Sequence, residues 1–427
     1  MKYGKLIQRT GLAVTAVSLI AISSFSATAS AASQMPISYN EWNGRQLEDG
    51  SFDHTRIIRE QDHKAITLGY HSEGSWTSPE YRPSTPVNKI VASWQAQTPG
   101  QSWIETQLQV KLTTGQKSGW YTMGKWGFAS TANPDGSITS PRGSVMGQED
   151  ATGSVDQDTY FANDDTFVQS YRVREVLHAN GQDKPTVRQV AVTASDYTKN
   201  IETGTSATTM LGQVDLPVPM LSQYVHNNEY SQFDGGGAAW CSPTSVAMLL
   251  DYYHTGPSQQ DIRDLPADPV FDTNHRVDGQ VDYAAYHIFD NGYQLEDGHF
   301  DKNTGNWPYN VAYASKFGLD GSVRQYNSLR DVEGWIKKGV PVVVTLKWNN
   351  TDADTTNDLT GSSIPSTAGH LMVVRGFTAN GDVIANDPAT PSGDRDVRHV
   401  YNRAQFEHIW LKAKQGTVYI VKPYSVK

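Results

Sequence analysis

Gly235-Gly236-Gly237-Ala238-Ala239-Trp240-Cys241-Ser242-Pro243-Thr244-Ser245 is the stretch from which the rest of the chain can be read. Cys241 is the single cysteine among 427 residues. It follows a glycine run and stands just ahead of a helical pattern. Pro243 suits a first helical turn, where a missing N–H costs nothing. Val246, Leu249, Leu250 and Tyr253 then fall on one apolar face at helical spacing. Cys241 is therefore expected at a helix N-terminus, where the dipole and unpaired N–H groups favour a thiolate, the reactive form of the side chain. The plainer alternative is a buried thiol acting as a small hydrophobe.

The N-terminus bears on that choice. Lys2, Lys5 and Arg9 precede the largely apolar run Leu12 to Ile22, and Ala29-Ser30-Ala31 supplies small residues for cleavage. Residues 1–32 read as a secretory signal peptide, and the apolar run is too short to span a bilayer as a helix. A secreted or cell-surface chain is expected, with no membrane span. Exported proteins use cysteines mainly in disulfides, so a lone thiol there points to intermolecular pairing or to reactivity. The net charge of −10 argues for solubility and against nucleic acid as a partner. A monomer is expected.

Upstream of the cysteine, residues 33–200 read as strands and turns. Ile104, Thr106, Leu108, Val110 and Leu112 alternate with polar residues, the mark of a half-buried strand. Phe167 to Val176 and Val187 to Val192 are further strands, and Thr98-Pro99-Gly100 and Asn133-Pro134-Asp135-Gly136 punctuate them. An all-β sandwich follows. Trp76, Trp94, Trp103, Trp120, Tyr121 and Trp126 could present a sugar-binding face, but aromatics dominate ordinary cores and a core role is preferred. His54, His63 and His71 show no ligand spacing. Residues 201–212, containing Thr-Gly-Thr-Ser-Ala-Thr-Thr within a stretch almost without period, read as a linker.

Residues 213–427 mix helix and strand signals, an α+β domain. Asn310 to Phe317 and a segment opened by Ser328 are helices. Pro341 to Leu346, Gly369 to Phe377, Val383 to Asn386 and Thr417 to Val421 are strands. A nucleophilic cysteine needs a base and a group to orient it. His370 is best placed among twelve histidines, at the start of a strand. Asp387 follows the turn signal Asn380-Gly381. Placing Asp387 directly opposite His370 requires a loop centred on Thr378-Ala379. A two-residue loop at Asn380-Gly381 would leave the pair about four residues, or roughly 13 Å, out of step. Either register puts both on one face and Asn386 on the other. Gln223 and Gln232 both lie upstream of Cys241, where a side-chain N–H could join the Cys241 backbone N–H in holding an oxyanion. Asp352, Asp354 and Asp358 lack the 12-residue calcium-loop pattern and read as a solvated acidic loop. No metal and no cofactor are expected.

Val218-Pro219-Met220-Leu221-Ser222-Gln223, Trp240-Cys241-Ser242-Pro243-Thr244-Ser245, Gly369-His370-Leu371-Met372-Val373-Val374 and Asn386-Asp387-Pro388, taken in order, resemble the motif set of the papain-like double-glycine leader peptidases. More closely, they resemble the secreted, transporter-free relatives of that family, over about residues 213–425. The resemblance implies a papain-like cysteine peptidase fold, with Cys241 as nucleophile, His370 as general base and acid, Asp387 as orienter and Gln223, rather than Gln232, as oxyanion donor. The substrate would be a peptide or protein, cell-wall peptides included. Trp240 and Trp307 are candidates for the substrate groove, Trp307 within Gly305-Asn306-Trp307-Pro308-Tyr309-Asn310, which looks like the secreted relatives. The family commonly carries glycine where this chain has Ser242. Its Gln-to-Cys spacing is also shorter than the 18 residues here. Two other readings stand beside the peptidase: an envelope-binding protein with an idle peptidase-like domain, and an acyltransferase using the same triad.

Overall fold

Trp103–Leu112 alternates half-buried and buried residues along its whole length, as its sequence period requires. It belongs to a five-stranded sheet in the order Ser51–Asp53, Glu73–Thr77, Val168–His178, Trp103–Leu112, Tyr121–Trp126. A second, eight-stranded sheet is centred on Lys89–Gln97 and Thr186–Ser195. All the ladders are antiparallel. Both sheets feed one apolar cluster, including Ile66, Ile90, Leu108 and Val173. The computed structural model describes residues 34–60, 62–132, 138–199, 204–266, 278–292 and 302–426. The signal-peptide reading of residues 1–32 and the turn at 133–136 lie outside them.

Trp42, Trp76, Trp94 and Trp126 fill the interior of this half, while Trp103 and Trp120 are half-buried. Trp76 and Trp94 have no exposed surface and Trp126 has 1%. The Trp76 indole donates to the Leu47 carbonyl at 2.9 Å. Trp103 stacks on His178 at 3.7 Å and the Arg174 guanidinium lies 4.3 Å from the Trp120 ring.

Lys89–Gln97 and Thr186–Ser195 depart from alternation, because they are buried on both faces. One face meets the sandwich core. The other is covered by helix Trp307–Ser315 and strand Leu319–Gln325 of the second half. Tyr309 packs against Trp94 and Trp126, with ring centroids 6.0 and 5.6 Å away. Thr193 Oγ1 donates to the Val323 carbonyl at 2.7 Å. The buried guanidinium of Arg142 donates to the carbonyls of Gly127, Phe128 and Tyr286 and lies 4.7 Å from the Phe289 ring. Residues Ser33–Lys427 accordingly form one compact unit.

The second half is built on a sheet in the order Leu319–Gln325, Thr417–Pro423, Val342–Asn349, Ser366–Phe377, Val383–Asn386, Arg398–Tyr401, with Val214–Asp215 added beside Ser366–Phe377. Its central strands carry near-continuous apolar runs, Val342–Val344 and Leu371–Val374, because helices cover both faces there. Val343 and Val373 join the cluster containing the helices Cys241–Tyr252 and Gly279–Ile288. Val342, Val344, Met372 and Val374 join the cluster containing the helices Leu329–Ile336 and Arg403–Lys414. Ser328 caps the first of these as its sequence indicates, accepting from the Arg330 N–H. The chain thus has a largely β N-terminal region and a second, helix-and-sheet domain.

The low-period segment before this domain has no regular structure over residues 204–210, yet it is held at several points. Glu333, fully buried, accepts from Thr208 Oγ1 and the Thr209 N–H at 2.7 Å each. Arg403 bonds both Glu333 Oε1 and the Ser206 carbonyl at 2.7 Å. These anchors are side chains more than a hundred residues away in sequence, so no local period reveals them.

Candidate active site

Cys241 opens helix Cys241–Tyr252, with Trp240 as the preceding cap. The first intrahelical bond runs from the Thr244 N–H to the Trp240 carbonyl at 3.0 Å. Pro243 contributes no donor, so the orphan donors of this turn belong to Cys241 and Ser242. Ser242 to Leu250 are all buried, and this packing fixes the helix whose first residue, Cys241, remains half-buried at its tip.

The glycine run has a steric purpose. Gly236 sits at φ +84°, a conformation that side chains rarely adopt. A Cβ on Gly237 would lie 2.3 Å from the Gln223 carbonyl oxygen. The run therefore lets the chain fold tightly against the Gln223–His226 turn, which shortens in space the long interval between Gln223 and Cys241.

His370 lies on strand Ser366–Phe377 and is 3% exposed. Its Nε2 is 2.8 Å from Asp387 Oδ1. Cys241 lines the same cavity as this ring, and its sulfur acts on the ring's charge. Burial alone would lower the imidazole pKa. The Asp387 carboxylate and the Cys241 sulfur reverse this and raise it to about 10. Asp387, with no exposed surface, also resists its burial: the His370 charge and the N–H of Ala389 at 2.9 Å hold its pKa at about 2. Its second oxygen accepts from the Tyr401 hydroxyl at 3.2 Å.

The hairpin register differs from both expected loops. Val373 pairs with Asn386 and Val374 with Ala385, and the ladder slips between Val374 and Gly376. Thr378 N–H donates to the Asp382 carbonyl, and Gly381 sits at φ +90° in the turn. Projected along this register, Asp387 lies diagonally from His370 rather than opposite it. Diagonal neighbours on one face are within reach of a long or aromatic side chain, and the ring spans the gap. Asn386 faces the other way, bonded to Arg375 and the Pro219 carbonyl at 3.0 and 2.8 Å.

Gln223 is buried and its Nε2 donates to the Ala238 carbonyl at 2.8 Å. That bond uses one of the two amide hydrogens. Gln223, Cys241 and His370 line one cavity of about 440 Å³, together with Trp307 and Lys414. Gln232 does not line it. The backbone N–H of Trp307 is held by Asp158 of the sandwich at 3.0 Å. Trp240 is a correction. It has no exposed surface, its indole donates to the Phe233 carbonyl at 2.8 Å, and it belongs to the core rather than the groove.

The structure adds residues that local pattern could not supply. Trp348 packs edge-on against His370, with centroids 5.4 Å apart, and Tyr401 anchors Asp387. Only the strand pairing, which sets Leu346 beside His370, could have pointed to Trp348. Ser242, which stands where the resembling family commonly has glycine, is buried and its hydroxyl pairs with that of Tyr419 at 3.0 Å.

This geometry can be set beside known proteins. Residues 21–195 match the family described as the peptidase C39 N-terminal domain, and residues 215–418 match the peptidase C39-like family. No curated protein matches the chain. Among solved structures, a chain from Bacillus anthracis described as a candidate C39-like peptidase is 16% identical. It covers 50% of this chain and 99% of its own, at a TM-score of 0.31. A family 29 carbohydrate-binding module from Piromyces equi is 7% identical, covering 39% of this chain and 95% of its own, with a TM-score of 0.20. A family 11 carbohydrate-binding module from Clostridium thermocellum is 16% identical, covering 37% and 94%, with a TM-score of 0.16. Likenesses this distant carry no argument about ligand or substrate. The two family matches divide the chain between them: residues 215–418 belong to the peptidase C39-like family, and residues 21–195 to the family of its N-terminal domain.

Proposed function

We propose that this chain is an exported cysteine peptidase of papain-like architecture, hydrolysing peptide bonds with Cys241, His370 and Asp387 as its triad. The observation that carries the reading is the His370 ring, 2.8 Å from the Asp387 carboxylate and lining one 440 Å³ cavity with Cys241. An imidazole with its pKa near 10 is an imidazolium at neutral pH. It can stabilise a thiolate and hold a proton ready for a leaving amine.

In the first step the Cys241 sulfur attacks the substrate carbonyl carbon. The oxyanion accepts from the Cys241 backbone N–H and from the second Gln223 Nε2 hydrogen, an arrangement whose loss costs about 10²–10³ in kcat. His370 gives its proton to the departing amine and leaves a thioester. It then takes a proton from water, whose oxygen attacks the acyl carbon and releases the acid with the thiol restored. Asp387 keeps the ring oriented throughout and favours its charged form each time it carries the proton. Trp307 and Lys414 provide groove surface for the substrate, taken to be a peptide or protein.

Two measurements test this. Cys241 should alkylate with iodoacetamide at neutral pH faster than a thiol in denatured chain; equal or slower labelling defeats the activated-thiol reading. A peptide library should show cleavages with the natural chain that vanish with Cys241→Ala. Cleavages surviving that substitution would reject Cys241 as nucleophile.

A further inference from the structure

His226, Glu229 and Asp282 form a second buried cluster, one that the proposed reaction does not use. Their exposures are 0%, 6% and 1%. His226 closes the turn Gln223–His226, Glu229 follows it, and Asp282 comes from helix Gly279–Ile288. Nδ1 of His226 lies 2.8 Å from Glu229 Oε2 and 3.0 Å from Asp282 Oδ1. One potential donor atom from each residue falls within 4.8 Å of the others.

Hydrogen bonding does not satisfy this cluster. Nδ1 can offer one proton to two carboxylates, and geometry gives it to Glu229. Both Asp282 oxygens and His226 Nε2 are buried without a hydrogen-bond partner. Such unpaired groups are costly in a low-dielectric interior. A divalent ion held by two carboxylates and a neutral imidazole sums to zero net charge, which suits a buried site.

From this geometry we propose that His226, Glu229 and Asp282 bind a first-row divalent metal ion, zinc being the first candidate. Ligand bonds of about 2.0–2.2 Å set adjacent donor atoms about 3 Å apart in an octahedral arrangement and somewhat wider in a tetrahedral one. The His226 distances already match. The imidazole favours zinc over calcium, which takes oxygen ligands. Binding would displace the Nδ1 proton and engage an Asp282 oxygen that has no partner. It would also tie the turn carrying Gln223 to helix Gly279–Ile288. The site is separate from the cysteine, and it stands whether or not Cys241 is a nucleophile. The sequence does not announce it, since Asp282 lies 53 residues beyond Glu229.

The test uses the full exported chain with Cys241→Ala, which removes the sulfur that could capture zinc adventitiously beside His370. Zinc titration by calorimetry should give one ion per chain with proton release at neutral pH, and Glu229→Gln and Asp282→Asn should each weaken binding at least about tenfold. The zinc X-ray absorption spectrum should show nitrogen and oxygen ligands with one imidazole. That spectrum needs no ligand-site variant and decides the matter if Asp282→Asn does not fold. Absence of binding, binding indifferent to both substitutions, binding lost with His370→Ala, or calcium binding as tightly as zinc would each overturn the proposal.

Discussion

Glu175 and Asp387 are both carboxylic acids with no exposed surface, one in each half of the molecule, and their surroundings push their pKa values in opposite directions. Glu175 points into the sandwich core and its side chain accepts from Thr106 Oγ1, at 3.0 Å to each oxygen. Burial raises its pKa well above the ordinary carboxylate range. Asp387 faces an imidazole, a backbone N–H and a phenol, and these hold it ionised down to about pH 2. Burial does not decide which buried acid carries charge. The neighbours do, and only the second environment can impose a charge on a histidine.

The largest effect that would break this contrast is on turnover. Asp387→Asn should lower kcat/KM by about 10²–10³, through loss of ring orientation and charge. Without the carboxylate, burial dominates at His370 and its pKa falls, so the alkaline limb of the rate profile moves to lower pH. An unshifted limb would show that Asp387 does not set the ring's charge. Gln223→Ala comes next, with an expected loss of about 10²-fold in kcat and little change in the melting temperature. A KM effect alone would assign Gln223 to binding instead.

Stability against pH sharpens the contrast further. His370, raised in the folded state, stabilises fully below its unfolded pKa of about 6.5, and that contribution is lost as pH climbs to about 10. Asp387, lowered, contributes fully above about 3.9 and is lost as pH falls to about 2. The pair therefore stabilises most between about pH 4 and 6.5. Tyr401→Phe should remove about 1.5 kcal/mol, the lower end for one hydrogen bond to a charged group, and raise the pKa of Asp387. Glu175 behaves in the reverse sense. Its raised pKa costs stability as pH rises above about 4.3. Glu175→Gln should change stability near pH 4 by no more than about 0.5 kcal/mol and flatten the decline at higher pH. A large loss at pH 4 would mean that Glu175 is ionised.

Which parts could be read in advance follows from the range of the signals. Trp103–Leu112 announces itself because its period is local, and Val383–Asn386 because a turn precedes it. The cysteine's place at a helix start is equally local. The burial of Thr186–Ser195 on both faces was hidden, since its outer cover is a strand, Leu319–Gln325, more than a hundred residues later. The hairpin register was hidden too: a slip beyond Val374 lies between the two loops that propensity offers. Trp240 and Trp307 show the same limit. Both are aromatics near the cysteine in space, and only the packing of Phe233 and of Asp158 separates a core residue from a groove residue.

The bond from Trp307 to Asp158 has a practical side. One wall of the cleft is set by a side chain that the sandwich supplies. A chimera that pairs this C39-like half with another protein's β-rich half would reshape the cavity without touching Cys241, His370 or Asp387, so engineers seeking altered selectivity should move both halves together or begin at position 158.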